Sequence, residues 1–167
     1  FIKFFTQRLI LKHYKRWGVA YVPGNWTSAI LRRGTRIQNP PGRYFADPFI
    51  ASRDGRTVCF VEDFSFPKKR GWISAVEILD DKKYQVLGPV IEEPFHMSFP
   101  YLFEHKGELY MIPETGEANA IRLYKCVEFP MKWEFQKELM RNVRATDTML
   151  FEHVGRWWML TNFASPG

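Results

Sequence analysis

The chain has 167 residues, of which 46% are hydrophobic and 17% aromatic, and it contains 11 Gly and 11 Pro. This composition is enough to bury a core and is typical of many short strands joined by turns, and it excludes a low-complexity chain. The formal net charge is +6, but most of the basic excess lies in one terminal stretch. A nucleic-acid groove needs basic residues spread along one face with aromatics between them, so the charge pattern argues against nucleic acid as a partner.

The N-terminal segment, residues 1–16, holds five Lys and Arg residues and no acid. Its apolar residues Phe1, Phe5 and Leu9 follow helical spacing, which predicts a short basic amphipathic helix. This helix is either a connector from a preceding domain or a weak contact to a membrane surface. Charges interrupt the segment too often for a signal peptide or a transmembrane span.

One unit then repeats three times, with starts near residues 46, 98 and 146. Each unit has an apolar strand, a tight turn and a returning strand, and the turn residues Gly55, Gly107 and Gly155 lie 52 and 48 residues apart. A period near 50 is typical of the blades of a β-propeller. The sequence therefore predicts an all-β chain in which residues 17–167 form a propeller domain.

The first two units contain further predicted strands. Third strands are expected at 72–78 and 120–127, and shorter fourth strands at 84–87 and 133–135. Four strands per unit is the number in a propeller blade. Because three units are too few to close a ring, we expect the propeller to continue beyond the C-terminus, or the piece to associate so that its open edges are covered.

The two cysteines take positions that other repeats fill with ordinary core residues. Cys59 aligns with Met111 and Met159, and Cys126 aligns with Ile78. We therefore expect buried free thiols. The chain has no cysteine or histidine spacing typical of zinc, and neither a metal nor a cofactor is expected.

The repeat also sorts the acidic residues into two sets of equivalent positions. The first strands begin with Asp47, Phe99 and Asp147, and the second strands end with Glu62, Glu114 and Asn162. Packing gives no reason for acids at strand ends that converge on a propeller channel, so Asp47 and Asp147 are the leading site candidates. The alternative for each Asp is a local turn cap that accepts hydrogen bonds from backbone amides.

Four stretches of the chain, 45–50, 92–100, 111–115 and 147–153, resemble a known family. They are similar to the propeller domain at the front of plant glucosamine inositolphosphorylceramide transferases and of bacterial proteins from sugar-polymer gene sets. That domain is in turn similar to the five-bladed propellers of glycoside hydrolases of the 43 and 32 type. The resemblance covers roughly residues 17–167 and implies a five-bladed propeller that handles carbohydrate.

The resemblance to the hydrolases also implies roles for individual residues. Asp47, in the Ala46-Asp47-Pro48 motif, matches the general base, and Asp147 matches the aspartate that tunes the acid and orients the sugar. The general acid of those enzymes lies in the following blade and has no counterpart here. Either the acid lies beyond the end of this sequence, or Glu114 takes its role, or the domain does not hydrolyse sugars. An inverting glycosidase needs its two carboxyl groups about 6.5–9.5 Å apart, with a water between them.

Sugar rings commonly stack on aromatic side chains, and sugar hydroxyls bind polar ones. Phe45, Phe99 and Trp26 are the predicted stacking residues, with core packing as the alternative use of each ring. The polar residues predicted to contact substrate are Glu62, His96, Arg122 and Asn162.

Three functions are compatible with these features. The first is a carbohydrate-active propeller of glycosidase type, with Asp47 as general base and a glycan as substrate. The second is a non-catalytic glycan-binding or scaffolding propeller attached to a glycosyltransferase or polysaccharide-biosynthesis protein. The third is a protein-interaction propeller, since fold alone does not fix function. Further domains of the same polypeptide are the expected partners, and the cytoplasm is the preferred compartment.

Overall fold

A computed structural model describes residues 16–25, 27 and 31–163. In this part the chain is all-β, as predicted. Its strands are β1 (Ala20–Tyr21), β2 (Thr35–Arg36), β3 (Arg43–Arg53), β4 (Arg56–Ser65), β5 (Arg70–Ile78), β6 (Tyr84–Ile91), β7 (Ser98–His105), β8 (Glu108–Glu114), β9 (Ala120–Glu128), β10 (Lys132–Arg141), β11 (Ala145–His153) and β12 (Arg156–Phe163). Short 3₁₀ turns lie at Leu31–Arg33 and Gly116–Ala118.

Two expectations concern residues outside this part. The predicted N-terminal helix falls almost entirely on residues 1–15, and Trp26 also lies outside the described residues. Among the residues that are described, no helix has the length and apolar character needed to cross a membrane.

The strands form antiparallel sheets that follow sequence order. Strands β3 to β6 make sheet 1 and strands β7 to β10 make sheet 2, while β11 pairs with β12 and β1 with β2. The predicted hairpins and third strands are confirmed. None of the four sheets closes on itself, and the five-bladed ring stays a prediction.

The fourth strands are longer than the sequence suggested. The sequence Gly88-Pro89 resembles a turn, yet strand β6 continues through it. It can do so because β6 is an edge strand and its pairing with β5 shifts register there. Edge strands and bulges are where a sheet tolerates proline. Strand β10 is mostly exposed, so it lacks the apolar alternation by which a half-buried strand is recognised.

The three turns of the repeat have the same backbone conformation. Gly55, Gly107 and Gly155 have positive φ, as do the residues before them, Asp54, Lys106 and Val154. Positive φ at both central residues defines the type I′ turn, whose twist matches that of the strands it joins.

Neighbouring layers enclose three apolar cores. The largest lies between sheets 1 and 2 around Phe60, Ile73, Met97 and Met111. A second core joins sheet 1 to the segment that carries β1 and β2, and a third joins sheet 2 to the β11–β12 hairpin. Cys59 and Cys126 are buried free thiols, which confirms that expectation. Because the layers stack face to face, the first strand β7 of sheet 2 contacts the first strands β3 and β11 of the layers on either side.

Candidate functional site

The same β-bulge occurs in the first strand of each repeat. Pairing jumps from Ala46 to Phe49 in β3, from Ser98 to Tyr101 in β7 and from Thr146 to Met149 in β11, so two residues of the first strand oppose one residue of the second. The first bulged residue is Asp47, Phe99 or Asp147, with φ of 47°, 45° and 52° respectively. Such bulges bend the strand and redirect a side chain. The bulge therefore gives each layer an equivalent residue where β7 contacts β3 and β11, and Asp47 and Asp147 are near enough for the charge of Asp147 to raise the pKa of Asp47, although burial raises it more.

The second strands complete the site at the neighbouring position. Just before each bulge, Ala46 pairs with Glu62, Ser98 with Glu114, and Thr146 with Asn162. Each layer thus presents a bulge residue and the second-strand residue that pairs just before the bulge. We call the four carboxylates among these six residues the acid cluster: Asp47, Glu62, Glu114 and Asp147.

Asp47 is at the centre of this cluster. Burial raises the pKa of its carboxyl, and the charge of Asp147 raises it further, whereas a hydrogen bond from the Phe99 amide lowers it. That amide lies 3.3 Å from Asp47 Oδ2. The bond joins equivalent bulges of sheets 1 and 2, so it fixes the carboxylate relative to both layers.

Glu62 is the acid whose charge is most disfavoured. Its residue is 6% exposed, and burial, with the charges of Asp47 and Glu114 adding to it, raises the pKa of Glu62 to about 8. At neutral pH this carboxyl therefore holds its proton and can donate a hydrogen bond. A protonated acid beside an ionised one is the division of labour found in carboxylate pairs of enzymes.

Glu114 of sheet 2 and Asp147 of the β11–β12 hairpin are the other two acids of the cluster. The Asp147 amide and the Ser98 hydroxyl donate hydrogen bonds to the Glu114 carboxylate, while burial and the charge of Asp147 raise its pKa. Asn162 Nδ2 donates a hydrogen bond to Asp147 Oδ2 at 3.1 Å. Asn162 thus supports a carboxylate in the slot where the other layers hold a Glu.

His96 borders the cluster as a neutral ring. Its Nδ1 accepts a hydrogen bond from the Gly71 amide at 2.8 Å, so the proton of the neutral imidazole is on Nε2. Nε2 lies 3.7 Å from Glu62 Oε1. Burial lowers the pKa of His96, although the charges of Glu117 and Asp47 oppose that shift. His96 therefore offers an N–H donor beside Glu62 at neutral pH.

Gly71 makes this contact possible and was not singled out from the sequence. A Cβ at this position would lie 2.7 Å from the Met97 carbonyl, 2.9 Å from His96 Cε1 and 3.1 Å from Glu62 Oε1. A glycine inside a strand marks a close approach of this kind. The only sequence signal was a glycine outside the turn positions, at the start of a predicted strand.

Tyr44 is a second site residue that the sequence reasoning missed. Burial raises the pKa of Tyr44 to about 12, and the charges of Glu62 and Asp47 add to the shift. Tyr44 pairs with Phe64 across β3 and β4 while Ala46 pairs with Glu62, so Tyr44 and Glu62 are diagonal neighbours on one face. The ring stacks on Phe64 with centroids 5.0 Å apart. Strand alternation reveals this neighbour only once the register is known.

Two of the predicted contact residues lie away from the cluster. Phe45 is fully buried in the core with Val61, so its ring is not available to stack on a sugar. It alternates with its neighbours on β3 and therefore faces the opposite side of the sheet from Tyr44. Arg122 forms ion pairs with Glu138 of sheet 2 and with Glu93, which lies between β6 and β7.

Phe99 is half-buried at its bulge. Its ring packs edge to face against Phe49, with centroids 5.0 Å apart. Core packing, the alternative use of each predicted stacking ring, therefore occupies part of the Phe99 ring. The backbone amide of Phe99, rather than its ring, contacts Asp47.

The site as a whole is anionic. No ion pair between described residues joins a Lys or Arg to any of the four carboxylates. In the same part of the chain, no group of three or more His, Cys, Asp or Glu residues has the arrangement of a metal site. The cluster presents carboxyl oxygens as acceptors and has donors in Glu62, His96 and Asn162, which is the mixture that sugar hydroxyls and amines bind.

Comparison of the sequence with known proteins shows the family to which it is similar. Residues 29–166 match the family model described as glucosamine inositolphosphorylceramide transferase 1, N-terminal. The chain is 31% identical over 121 residues to glucosamine inositolphosphorylceramide transferase 1 of Arabidopsis thaliana, an alignment that covers 72% of this chain and 16% of the relative. It is 29% identical over 123 residues to the protein of that name in Oryza sativa subsp. indica, covering 73% of this chain and 16% of the relative.

The chain thus spans 16% of the length of these curated relatives. No solved structure matches it significantly.

Proposed function

Since this chain belongs to the family of the N-terminal domain of glucosamine inositolphosphorylceramide transferase 1, we propose that it is a sugar-binding β-propeller segment of a longer glycosyltransferase polypeptide. The acid cluster is its proposed binding site, and the sugar is held there for another domain to act on. The relatives are named as transferases, which favours binding over hydrolysis.

One observation carries the proposal. Three successive layers contribute residues from the same two repeat positions, and four of those six residues are acids whose charges affect one another. Their mutual repulsion and burial cost stability, as the raised pKa values of Asp47, Glu62 and Glu114 indicate. Groups that destabilise the fold yet converge on one site are typical of binding and catalytic centres.

Charge favours an amino sugar as the ligand. An ammonium group placed among carboxylates that no described Lys or Arg neutralises gains charge-assisted hydrogen bonds. The neutral donors Glu62 and His96 are then free for hydroxyl oxygens. The printed name of the relatives, which includes glucosamine, is consistent with this choice.

Hydrolysis is the second candidate, and the protonation of Glu62 is what favours it. A protonated Glu62 beside Asp47 supplies an acid and a base within this chain, in place of the acid that the resemblance to glycosidases leaves unassigned. In that mechanism Asp47 activates water and Glu62 protonates the leaving oxygen. Glu114 is the alternative acid, because burial raises its pKa as well.

Binding of glucosamine, N-acetylglucosamine and glucose to the full-length protein tests the first proposal. We expect glucosamine to bind most tightly at neutral pH, with affinity that falls as salt is added, and Asp47→Asn and Asp147→Asn to weaken it about tenfold each. Asp54→Asn is the matched control, because Asp54 is an exposed aspartate in the first hairpin turn. Equal binding of the three sugars, or equal loss in the control, would overturn the proposal.

The same protein, incubated with aryl glycosides, separates the two candidates. Release of reducing sugar that both Asp47→Asn and Glu62→Gln abolish would establish hydrolysis. Sugar binding without any release of reducing sugar would support the first proposal, in which the domain holds the sugar for another domain to act on.

A further inference from the structure

A large cavity lies between β3 and the residues that precede it in the chain. Its volume is about 850 Å³, within the range of small-molecule sites. It is lined by residues 16–20, 32 and 36–39, together with Pro48 of β3. Pro48 directly follows Asp47 in the bulge of β3, so the cavity reaches the residue that adjoins the acid cluster in the chain.

The cavity has the opposite charge from the acid cluster. Arg16, Arg32 and Arg36 line it, and its described lining includes no Asp or Glu. None of the ion pairs between described residues involves these three arginines. The three arginines are exposed, so they make the mouth of the cavity positive and favour an anion there.

The wall of the cavity is held in place by specific contacts. Asn39 Nδ2 donates a hydrogen bond to the Trp17 carbonyl at 2.7 Å, and Asn39 Oδ1 accepts one from the Phe45 amide at 3.0 Å. The Arg16 guanidinium lies over the Phe66 ring, 5.5 Å from its centroid. Phe66 in turn packs against Tyr44, which is the diagonal neighbour of Glu62 across β3 and β4. These contacts tie the cavity wall to β3 and connect Arg16 to the aromatic residues near the acids.

We propose that this cavity binds a phosphate group, as a monoester or a diester, through Arg16, Arg32 and Arg36. The planar guanidinium matches two phosphate oxygens at once, and several arginines around one cavity are a common phosphate site. Trp17 and Ile37 supply an apolar wall for the group that carries the phosphate. The proposal goes beyond the sugar site, since it assigns a second ligand chemistry to a different set of residues.

Two probes distinguish the possible sources of the phosphate. Soluble phosphate is represented by glycerol 3-phosphate, measured by calorimetry with the full-length protein. A lipid headgroup is represented by vesicles of phosphatidylcholine with and without phosphatidylglycerol, measured by co-sedimentation. Binding of either probe supports the site if it depends on the arginines, and the probe that binds identifies the source.

Arginine variants decide whether the cavity is responsible. We expect Arg32→Ala and Arg36→Ala to weaken binding about tenfold each and Arg16→Ala by a similar factor. Arg33→Ala is the matched control, because Arg33 is exposed on the same 3₁₀ turn as Arg32 and does not line the cavity. An equal loss in Arg33→Ala, or binding that all four variants leave unchanged, would overturn the proposal, as would failure of both probes to bind.

Failure here is distinguishable from failure of the sugar proposal. Asp47→Asn removes a negative charge next to the cavity, so it should leave phosphate binding unchanged or tighten it while weakening glucosamine. The arginine variants should weaken phosphate binding and leave glucosamine binding unchanged or tighten it. Melting temperatures within the error of the unmodified protein show that each variant is folded.

Discussion

Asp47 and Phe99 occupy the same bulge position in neighbouring sheets, and the Phe99 amide donates a hydrogen bond to Asp47 Oδ2 at 3.3 Å. Both residues have positive φ, a conformation that is common for Asn and Asp and rare for Phe. The bond therefore connects two left-handed bulge positions across the interface of sheets 1 and 2. The side chain that crosses this interface is also the leading site residue.

This relationship predicts different stabilities for two substitutions at one position. Asp47→Ala removes the acceptor of the Phe99 amide and places alanine in the left-handed region, and we expect the free energy of unfolding to fall by about 1–3 kcal/mol. Asp47→Asn keeps an acceptor and a residue that tolerates this φ, and it relieves the repulsion from Asp147. We expect Asp47→Asn to be as stable as the unmodified protein or more so. Urea unfolding at pH 7 measures both, and equal destabilisation by the two variants would contradict the role given to the hydrogen bond.

Glu62 makes stability depend on pH. Its pKa rises from 4.5 to about 8 on folding, so between these values the folded protein holds a proton that the unfolded chain has released. Stability must then fall as pH rises through this window, by at most about 1.4 kcal/mol per pH unit. We expect Glu62→Gln to reduce this slope and to raise the melting temperature at pH 8.

Asp47 and Glu114 contribute a slope of the same sign, because their pKa values are also raised. His96 contributes the opposite sign below its ordinary pKa, since burial lowers its pKa. Glu62→Gln should therefore reduce the slope without abolishing it. Melting curves from pH 5 to about 8 that superimpose for the two proteins would show that Glu62 is not buried as a protonated acid.

Gly71 is predicted to be intolerant of even a methyl group. In Gly71→Ala the new Cβ meets a backbone carbonyl and the His96 ring, so either β5 or His96 must move. We expect a loss of about 1–3 kcal/mol, as for other overpacked sites, together with weaker sugar binding because His96 borders Glu62. Gly18→Ala is the control, since a Cβ on Gly18 meets nothing within 4 Å and Gly18 has no positive φ. Equal stability of the two variants would contradict the close packing at Gly71.

Val154 offers a stabilising substitution. It sits at the first central position of the third hairpin turn with φ of 51° and is 83% exposed. A β-branched residue is strained there, whereas Asn-Gly is the preferred pair for a type I′ turn. We expect Val154→Asn to raise the free energy of unfolding by about 1 kcal/mol.

Val86→Asn is the comparison for that variant. Val86 is also exposed, at 40%, but lies within strand β6, where asparagine is disfavoured. It should destabilise the protein. If both Asn variants act in the same direction on the melting temperature, the effect at residue 154 is not due to the turn.

Local chemistry determined much of this protein from the sequence alone. A glycine at a tight turn supplies positive φ without steric cost, so the repeat of Gly55, Gly107 and Gly155 between apolar runs located the hairpins. The same register placed Asp47 and Asp147 in equivalent positions, and it identified Cys59 as a core residue. These features depend on neighbours within one repeat, which is why the sequence carries them.

The tertiary structure decided what depends on contacts between layers. Phe45 and Tyr44 are adjacent aromatics in the sequence, and only the packing of sheet 1 shows that Phe45 enters a core while Tyr44 borders the acids. The protonation of Glu62 and the tautomer of His96 likewise follow from burial and from Gly71, whose partners lie on other strands. The charge state of a buried group is set by everything that surrounds it, and residues distant in the chain supply those surroundings.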